Sequence, residues 1–341
     1  MHSIIKTAFV AFALAAMTSF NLQAGALEPT NAPAPSMYTL EEIYLKMLSL
    51  EQKMNDLENR SPAMTLIPAG EFVMGNTLVG DGNSDELPIH TNTISAFYMD
   101  WYEVTKALWE EVKAHNGGNG YDYFYAGTDQ PSNHPVHRVN WFDAVKWCNA
   151  RSQMEGLTPV YYTDAGFTMV YKTGEAIAPF ANWSANGYRL PTEAEWEKAA
   201  RGGVAGQRFP WGDTISHDHA NYYSSNSYDY DTSGANNFHP AFITGVFPNT
   251  SPVGYFSPNG YGLYDMVGNV SEWCWDWYQE DYYASSPGSD PRGPAGPSLY
   301  RVLRGGSWTL DAFRVRVAVR NSTFPGREDY GVIGFRCVRG L

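Results

Sequence analysis

Two acidic side chains flank a glycine-containing bend in the segment Asn259–Trp273, and their spacing suits a cation. Asp265 and Glu272 lie seven residues apart, with Gly268 and Asn269 between them. Calcium takes roughly six to eight oxygen ligands, and a bent loop can add backbone carbonyls to the two carboxylates. Acidic residues in turns also commonly face water or cap backbone groups. The spacing alone leaves both interpretations open.

A second acidic loop resembles the first half of an EF-hand. Its pattern is Asp229-Tyr-Asp231-Thr-Ser233-Gly234, with oxygen-bearing side chains at alternate positions. Pro240 occupies the twelfth position, where an EF-hand needs a glutamate, and no helix pattern flanks the loop. An EF-hand is therefore excluded, although the loop still offers oxygen ligands.

Nucleophilic and zinc-hydrolase motifs are missing from the sequence. There is no G-x-S-x-G elbow, and Cys148, Cys274 and Cys337 have no histidine partner in their neighbourhoods. The eight histidines include no H-E-x-x-H spacing. The nearest pair, His134 and His137, precedes a helix signal and is interpreted as structural. No catalytic residue is predicted.

Arginines alternate with apolar residues near the C-terminus, which predicts a strand with an arginine face. One side carries Phe313, Val315, Val317 and Val319, and the other Arg314, Arg316, Ala318 and Arg320. These guanidinium groups either pair with carboxylates of the domain or bind an anionic or polar ligand. The preceding Arg304-Gly-Gly-Ser-Trp308 lacks a P-loop lysine and a helix start, so its glycines are expected to permit close backbone approach.

Capping signals predict the helices that would position these residues. Asn140 followed by Asp143 predicts a helix from Trp141 to about Ser152. The capping box Thr192-Glu-Ala-Glu195 starts another, which Gly202-Gly203 ends. The remaining predicted elements are a helix from Thr105 to about His115, a strand around Phe97 to Trp101, and two short strands around the turn Pro68-Ala69-Gly70.

Composition predicts one loop-rich domain and excludes nucleic acid as a partner. Hydrophobic residues make up 43 % of the chain, enough for a substantial core, and 32 glycines and 21 prolines indicate many turns. The net charge is −13, and no lysine or arginine run interrupts it. Such a surface repels phosphate backbones and anionic lipid heads.

The N-terminus predicts export. Lys6 precedes an apolar run from Thr7 to Phe20. Ala24-Gly25-Ala26 then matches the small-x-small pattern of a signal-peptidase cleavage site. Residues 1–26 are thus predicted to be a signal peptide, with a retained anchor as the alternative. No later segment is apolar enough to span a membrane, so a periplasmic or extracellular protein is expected.

A proline-containing linker, residues 27–37, leads to a coiled-coil prediction over residues 38–60. The seam residues repeat at intervals of three and four: Leu40, Ile43, Met47, Leu50, Met54 and Leu57. This pattern predicts a homo-oligomer, either dimer or trimer. The alternative is an amphipathic helix that packs on its own domain.

Residues 64–340 resemble the formylglycine-generating enzyme, or sulfatase-modifying factor, family. The motifs that carry the resemblance, in order, are Met64-Thr-Leu-Ile-Pro-Ala-Gly-Glu-Phe-Val-Met-Gly75, Glu103-Val-Thr105, His134-Pro-Val136, Asn140-Trp-Phe-Asp-Ala144, Arg189-Leu-Pro-Thr-Glu-Ala-Glu-Trp-Glu197, Phe209-Pro-Trp-Gly212, Asn259-Gly-Tyr-Gly262, Gly268-Asn269, Arg304-Gly-Gly-Ser-Trp308 and Gly334-Phe-Arg336. The resemblance implies an α+β, C-type-lectin-like fold that is loop-rich and stabilised by calcium.

The resemblance also implies ligands for that calcium. Asp265 and Glu272 match side-chain ligands of the family, and Gly268 and Val270 match its backbone-carbonyl donors. A second family site is matched by Asn221 and the carbonyl of Tyr222, completed by either Asp229 or Asp231. Cys148 and Cys337 match positions that resemble a family disulfide, whereas Cys274 has no such counterpart.

The chain departs from the family's enzymes where their chemistry takes place. Those enzymes bind copper with two cysteines after the Gly-Gly-Ser-aromatic motif and use dioxygen to oxidise a substrate cysteine. Thr309 and Leu310 follow Trp308 in this sequence, and no cysteine is nearby. Copper(I) prefers soft sulfur ligands, so no copper is expected. An oxidase with an unrecognised active site is the alternative.

Two other branches of the same fold suit the sequence better: exported accessory or scaffold proteins, and binding proteins diversified by retroelements that display side chains on the corresponding C-terminal segment. The resemblance therefore predicts a ligand-binding surface without catalysis, for a protein or peptide first and a glycan second. Its predicted residues are Trp308, Thr309, Leu310, Asp311, Phe313, Arg314, Phe324, Arg327 and Tyr330. Aromatic and arginine side chains of this kind are common at binding hot spots.

Overall fold

The computed structural model describes residues 64–115, 119–124, 131–175, 178–234, 236–244, 247–248, 250–327 and 331–341. All of them belong to one compact unit, Lys53–Leu341. The predicted signal peptide (1–26), linker (27–37) and coiled coil (38–60) lie outside the described residues, as does Tyr330. Within the described ranges, no helix is long and apolar enough to cross a membrane.

Three α-helices of the described residues match the three that the sequence predicts, two of which were predicted from capping signals. They are α1 (Lys106–His115), α2 (Trp141–Met154) and α3 (Glu193–Arg201). The Asn140 side chain accepts from the amide of Asp143, which starts α2. Thr192 and Glu195 form the reciprocal capping box of α3. That helix ends at Gly202, whose left-handed backbone (φ 60°) suits glycine.

Three of the first four strands lie where the sequence predicts them, whereas the third, His90–Ile94, was not predicted. The strands are β1 (Met64–Ile67), β2 (Gly70–Met74), β3 (His90–Ile94) and β4 (Phe97–Asp100). β1 pairs with β4, whereas β2 pairs with β3. Near the C-terminus, β13 (Val338–Arg339) joins the other edge of β4. The resulting sheet, in the order β1-β4-β13, ties the two ends of the domain together.

A four-stranded sheet carries the segments that the sequence analysis singled out. Its strands are β9 (Ser271–Trp277), β10 (Arg301–Arg304), β11 (Asn321–Thr323) and β12 (Ile333–Gly334), in the order β11-β10-β9-β12. β12 runs parallel to β9, and the other pairs are antiparallel. The remaining strands form two-residue pairs: β5 (Tyr161–Tyr162) with β6 (Phe180–Ala181), and β7 (Ile243–Thr244) with β8 (Phe247–Pro248).

Aromatic side chains fill the core between these elements. One cluster packs α1 and α2 together and includes Trp109, Trp147 and Phe335, whose rings lie 5.4 to 6.2 Å apart. A second cluster lies under α3 and contains Trp196. Gly305 approaches this tryptophan so closely that an added Cβ would meet its ring at 3.1 Å. The Gly-Gly-Ser-Trp motif therefore permits close packing, as the sequence analysis expected.

The prediction of a strand over residues 313–320 is wrong, since this stretch folds into turns. Val315, Val317 and Val319 are buried as expected. Arg316 and Arg320 are also buried. Arg316 makes a bidentate ion pair with Glu86, and Arg320 makes one with Glu193. Buried guanidinium groups need such partners because desolvation penalises an isolated charge. Pairing, rather than ligand binding, is thus the role of these two arginines.

Candidate functional site

The loop from Asp265 to Glu272 joins two other segments of the domain. The amide of Gly268 donates to the carbonyl of Gly305, and the amide of Asn269 donates to the carbonyl of Asn221. An added Cβ at Gly268 would lie 2.3 Å from the Asn221 oxygen, so only glycine permits this approach. The structure therefore places the first predicted metal site directly beside Asn221, the first residue of the second.

Glu272 binds mainly to Arg336, a cationic side chain of the protein itself. Arg336 donates to both of its carboxylate oxygens at 2.8 and 2.7 Å, and the indole of Trp196 donates to one of them at 2.8 Å. These bonds use about three of the roughly four acceptor sites of a carboxylate. The Gly-Phe-Arg motif thus supplies the partner of Glu272, a pairing the sequence analysis did not predict.

Glu103 is a third buried carboxylate of this cluster, and the sequence analysis missed it. It accepts from the side-chain amide of Asn269 at 2.7 Å and from the backbone amide of Val270 at 3.2 Å. Burial raises its pKa well above the usual range, and the neighbouring Asp265 and Glu272 raise it further. The sequence signal that could have identified Glu103 was its position in the Glu103-Val-Thr105 motif.

Asp265 retains an unsatisfied acceptor. Its Oδ2 accepts from the amide of Gly254 at 2.6 Å, whereas its buried Oδ1 has no hydrogen-bond partner among the described residues. Burial raises the pKa of Asp265 to about 6. A cavity of about 10 Å³ lies against this side chain, close to the volume that one water or ion requires.

Full ionisation of the three carboxylates in this cluster would require a bound cation to balance their charge. Ionised Glu103, Asp265 and Glu272 would carry three negative charges against the one positive charge of Arg336, leaving two in excess. Among the described residues, no three His, Cys, Asp or Glu side chains converge to hold a metal. A calcium ion here would depend on Asp265 together with backbone carbonyls, of which Gly268 and Val270 are the predicted donors.

At the second predicted metal site, the structure distinguishes between the two candidate aspartates. Asp231 accepts from the hydroxyl of Tyr222 at 2.6 Å and from the amide of Ser225 at 2.7 Å. Asp229 is exposed. Asp231 is therefore the aspartate that lies with Tyr222, although its bonds there are to side-chain and amide groups.

The predicted ligand-binding residues divide into two groups. Six of them lie on a continuous turn, which we call the 308–314 surface: Trp308, Thr309, Leu310, Asp311, Phe313 and Arg314. Thr309 and Arg314 are exposed, and the other four are half-buried. The ring of Phe324 packs on Tyr300 at a centroid distance of 4.7 Å, and this residue is 46 % exposed. Arg327 follows it and is exposed.

Aromatic residues of a neighbouring loop support the 308–314 surface. The ring of Phe238 lies 5.7 Å from Trp308, and the ring of Tyr228 stacks on Phe313 at 6.0 Å. The Tyr228 hydroxyl donates to Asp311 at 3.4 Å. The sequence analysis missed both supporting rings because their contacts join residues about 70 to 85 positions apart.

The chain's three cysteines are all buried. The sulfurs of Cys148 and Cys337 lie 3.7 Å apart, so the structure brings the predicted disulfide pair into contact as two thiols. Burial raises the pKa of the Cys337 and Cys274 thiols well above their usual range. None of these side chains reaches the exposed part of the 308–314 surface.

The fold and the site together define a loop-rich α+β domain of the C-type-lectin-like, formylglycine-generating-enzyme type. The profile of the sulfatase-modifying factor enzyme 1-like domain matches residues 50–341. The chain belongs to this family.

Similar proteins include a formylglycine-generating enzyme, a protein kinase and a variable protein. The formylglycine-generating enzyme of Streptomyces coelicolor is 35 % identical over 80 % of this chain and 87 % of its own length. The serine/threonine-protein kinase pkn1 of Chlamydia pneumoniae is 33 % identical, but the match covers only 38 % of that protein. Among solved structures, Treponema denticola variable protein 1 has a TM-score of 0.61 and 30 % identity, covering 82 % of this chain and 95 % of that one.

Proposed function

We propose that this protein is an exported, calcium-stabilised member of the family that binds a partner protein through the 308–314 surface without transforming it. The observation that carries the proposal is the position of the chain's cysteines. The family's oxidation needs two thiolates beside the Gly-Gly-Ser-Trp turn, and this chain has Thr309 and Leu310 there. Its three cysteines are buried at other positions.

The frame of the site is retained while its reactive groups are replaced. Ser307 and Gly306 are buried, and the Trp308 indole donates to the carbonyl of Gly331 at 3.4 Å. The turn is therefore fixed from both sides, and its exposed tips are Thr309 and Arg314. A rigid scaffold that presents a tryptophan and an arginine is well suited to protein recognition. The likeness to a variable protein of Treponema denticola supports the same interpretation.

Two exposed side chains give a direct test of this surface. Changing Thr309→Glu together with Arg314→Glu is expected to reduce capture of a partner from cell extracts about tenfold or more, because both changes place negative charge at a desolvated contact. The melting temperature should stay nearly unchanged, since neither side chain is buried. Quantitative mass spectrometry of the captured proteins measures the loss.

The matched control alters the other exposed predicted segment. Phe324→Ala with Arg327→Glu makes similar changes outside the 308–314 surface and should leave capture intact. Equal capture by the Thr309 and Arg314 variant would contradict the proposal. Capture lost only in the control would move the binding site to residues 324–327, and competition by free glycans would show that the ligand is carbohydrate.

A further inference from the structure

One cavity lies away from both the metal cluster and the 308–314 surface. It has a volume of about 170 Å³ and lies between the β3–β4 connection, the start of α3 and the loop 288–293. Its lining includes Trp183, Arg189, Glu195, Asp290, Pro291 and Arg292. An apolar cavity of about 150 Å³ can hold benzene, so this one has room for a small organic molecule.

One wall of the cavity is fixed by an unusual backbone conformation. Asp290 has φ +41°, a region that side-chain-bearing residues rarely occupy. Its carboxylate accepts from both the amide and the hydroxyl of Ser95 at 2.7 Å, and its own amide donates to the carbonyl of Thr93 at 3.0 Å. Pro291 then restricts the next step of the chain. These contacts therefore fix the backbone direction at Arg292.

The two guanidinium groups of the cavity differ in their partners. Arg189 is bound by both oxygens of Glu195 at 2.6 Å. Arg292 makes no hydrogen bond or ion pair to any described residue, and its guanidinium carbon lies 4.2 Å from the ring centroid of Trp183. Partial burial, followed by repulsion from Arg189, lowers the pKa of Arg292. The cavity thus holds a positioned guanidinium that no carboxylate binds directly among the described residues, although Asp290 and Glu195 lie near enough to act on its charge.

We propose that this cavity binds a small organic monocarboxylate, with Arg292 as its anchor. The planar guanidinium fork matches the two oxygens of a carboxylate, and stacking on Trp183 limits the rotamers that binding must freeze. Ala96, Pro291 and the edge of Trp183 offer apolar surface for the rest of the molecule. Asp290 and Glu195 repel a second negative charge, so a dianion such as phosphate is disfavoured.

Titration with benzoate tests this inference on the calcium-loaded, full-length mature protein. Isothermal titration calorimetry is expected to give a Kd on the order of 1 mM, typical of one charge-assisted contact with a small ligand. Arg292→Gln should weaken binding about tenfold or more, whereas Arg292→Lys should lose less because it keeps the charge without the fork. Arg292 is exposed, so neither change should disturb folding.

Arg314→Gln is the matched control because it removes an exposed arginine from the 308–314 surface. It should leave benzoate binding unchanged, which also separates this inference from the proposed function. Benzoate binding that survives in Arg292→Gln, or no binding to the wild type at about ten times the expected Kd, would overturn the proposal. Phosphate that competes as well as benzoate would overturn the assignment to monocarboxylates.

Discussion

Chelating calcium is expected to lower the melting temperature of this protein by on the order of 10 °C. A ligand that binds only the folded state stabilises it by mass action, by about 4 kcal/mol when its concentration is about 1,000 times its Kd. For a domain of this size, each kcal/mol corresponds to roughly 2 to 4 °C. The physical basis is the buried carboxylate cluster, in which the Oδ1 of Asp265 has no hydrogen-bond partner among the described residues, and burial and neighbouring carboxylates raise the pKa of Glu103. Differential scanning calorimetry with and without chelator measures the effect.

Substitutions at Asp265 distinguish calcium at this site from calcium elsewhere. Asp265 has φ +55°, so glycine can replace it without backbone strain while removing the carboxylate. Asp265→Gly should therefore melt lower than the wild type and respond little to chelator. Asp265→Asn keeps one side-chain oxygen and should preserve the response. A wild-type melting curve that chelator leaves unchanged would reject a structural role for calcium.

Glu272 is a poorer position for this test. Its carboxylate binds Arg336 through two hydrogen bonds, and both side chains are buried. Removing one partner of a buried ion pair commonly costs about 3 to 5 kcal/mol. Glu272→Ala should therefore destabilise the domain with or without calcium, and its melting temperature alone would not report metal binding.

Oxidation of Cys148 and Cys337 to a disulfide is expected to stabilise the exported protein by up to about 5 kcal/mol in the chain-entropy treatment. The bond would close a loop of 189 residues between α2 and the segment that leads into β13. The two sulfurs are already in contact at 3.7 Å, so small side-chain rotations suffice to join them. Mass spectrometry of unreduced peptides should find the two residues linked.

Cys274 provides the control for this disulfide. It is also fully buried, but the Cys148–Cys337 sulfur contact does not involve it. A Cys148→Ala, Cys337→Ala variant should melt lower and lose its sensitivity to reductant, while Cys274→Ser should retain that sensitivity. Recovery of Cys148 and Cys337 as alkylatable thiols from the exported protein after unfolding would refute the disulfide.

The helices could be predicted from the sequence because their signals are local. Asn140 and Thr192 lie within three residues of the amides they cap, so short spacings were sufficient. The strand pairs could not be predicted in the same way. β1 and β2 are separated by two residues, yet each pairs with a different later strand, a choice that depends on contacts across the whole domain.

The parts of the candidate site that lie in recognisable motifs could be predicted from the sequence. The parts that depend on which side chains become buried could not. The alternation of residues 313–320 indicated a strand with an arginine face, but this stretch forms turns, and Arg316 and Arg320 pair with Glu86 and Glu193 in the interior. Those carboxylates lie more than 120 positions away in the sequence. The Arg292 cavity left no sequence signal because its walls come from four separate segments.

The most direct test of the central claim, binding without transformation, is incubation of the copper-treated, calcium-loaded protein with a cysteine-containing peptide under air. Mass spectrometry of the peptide and an oxygen electrode would follow the reaction together. No formylglycine and no oxygen uptake above a copper-only control are expected, because Thr309 and Leu310 cannot supply the soft sulfur ligands that copper(I) needs. Enzyme-dependent conversion of the cysteine with matching oxygen uptake would show that the 308–314 surface is an active site after all.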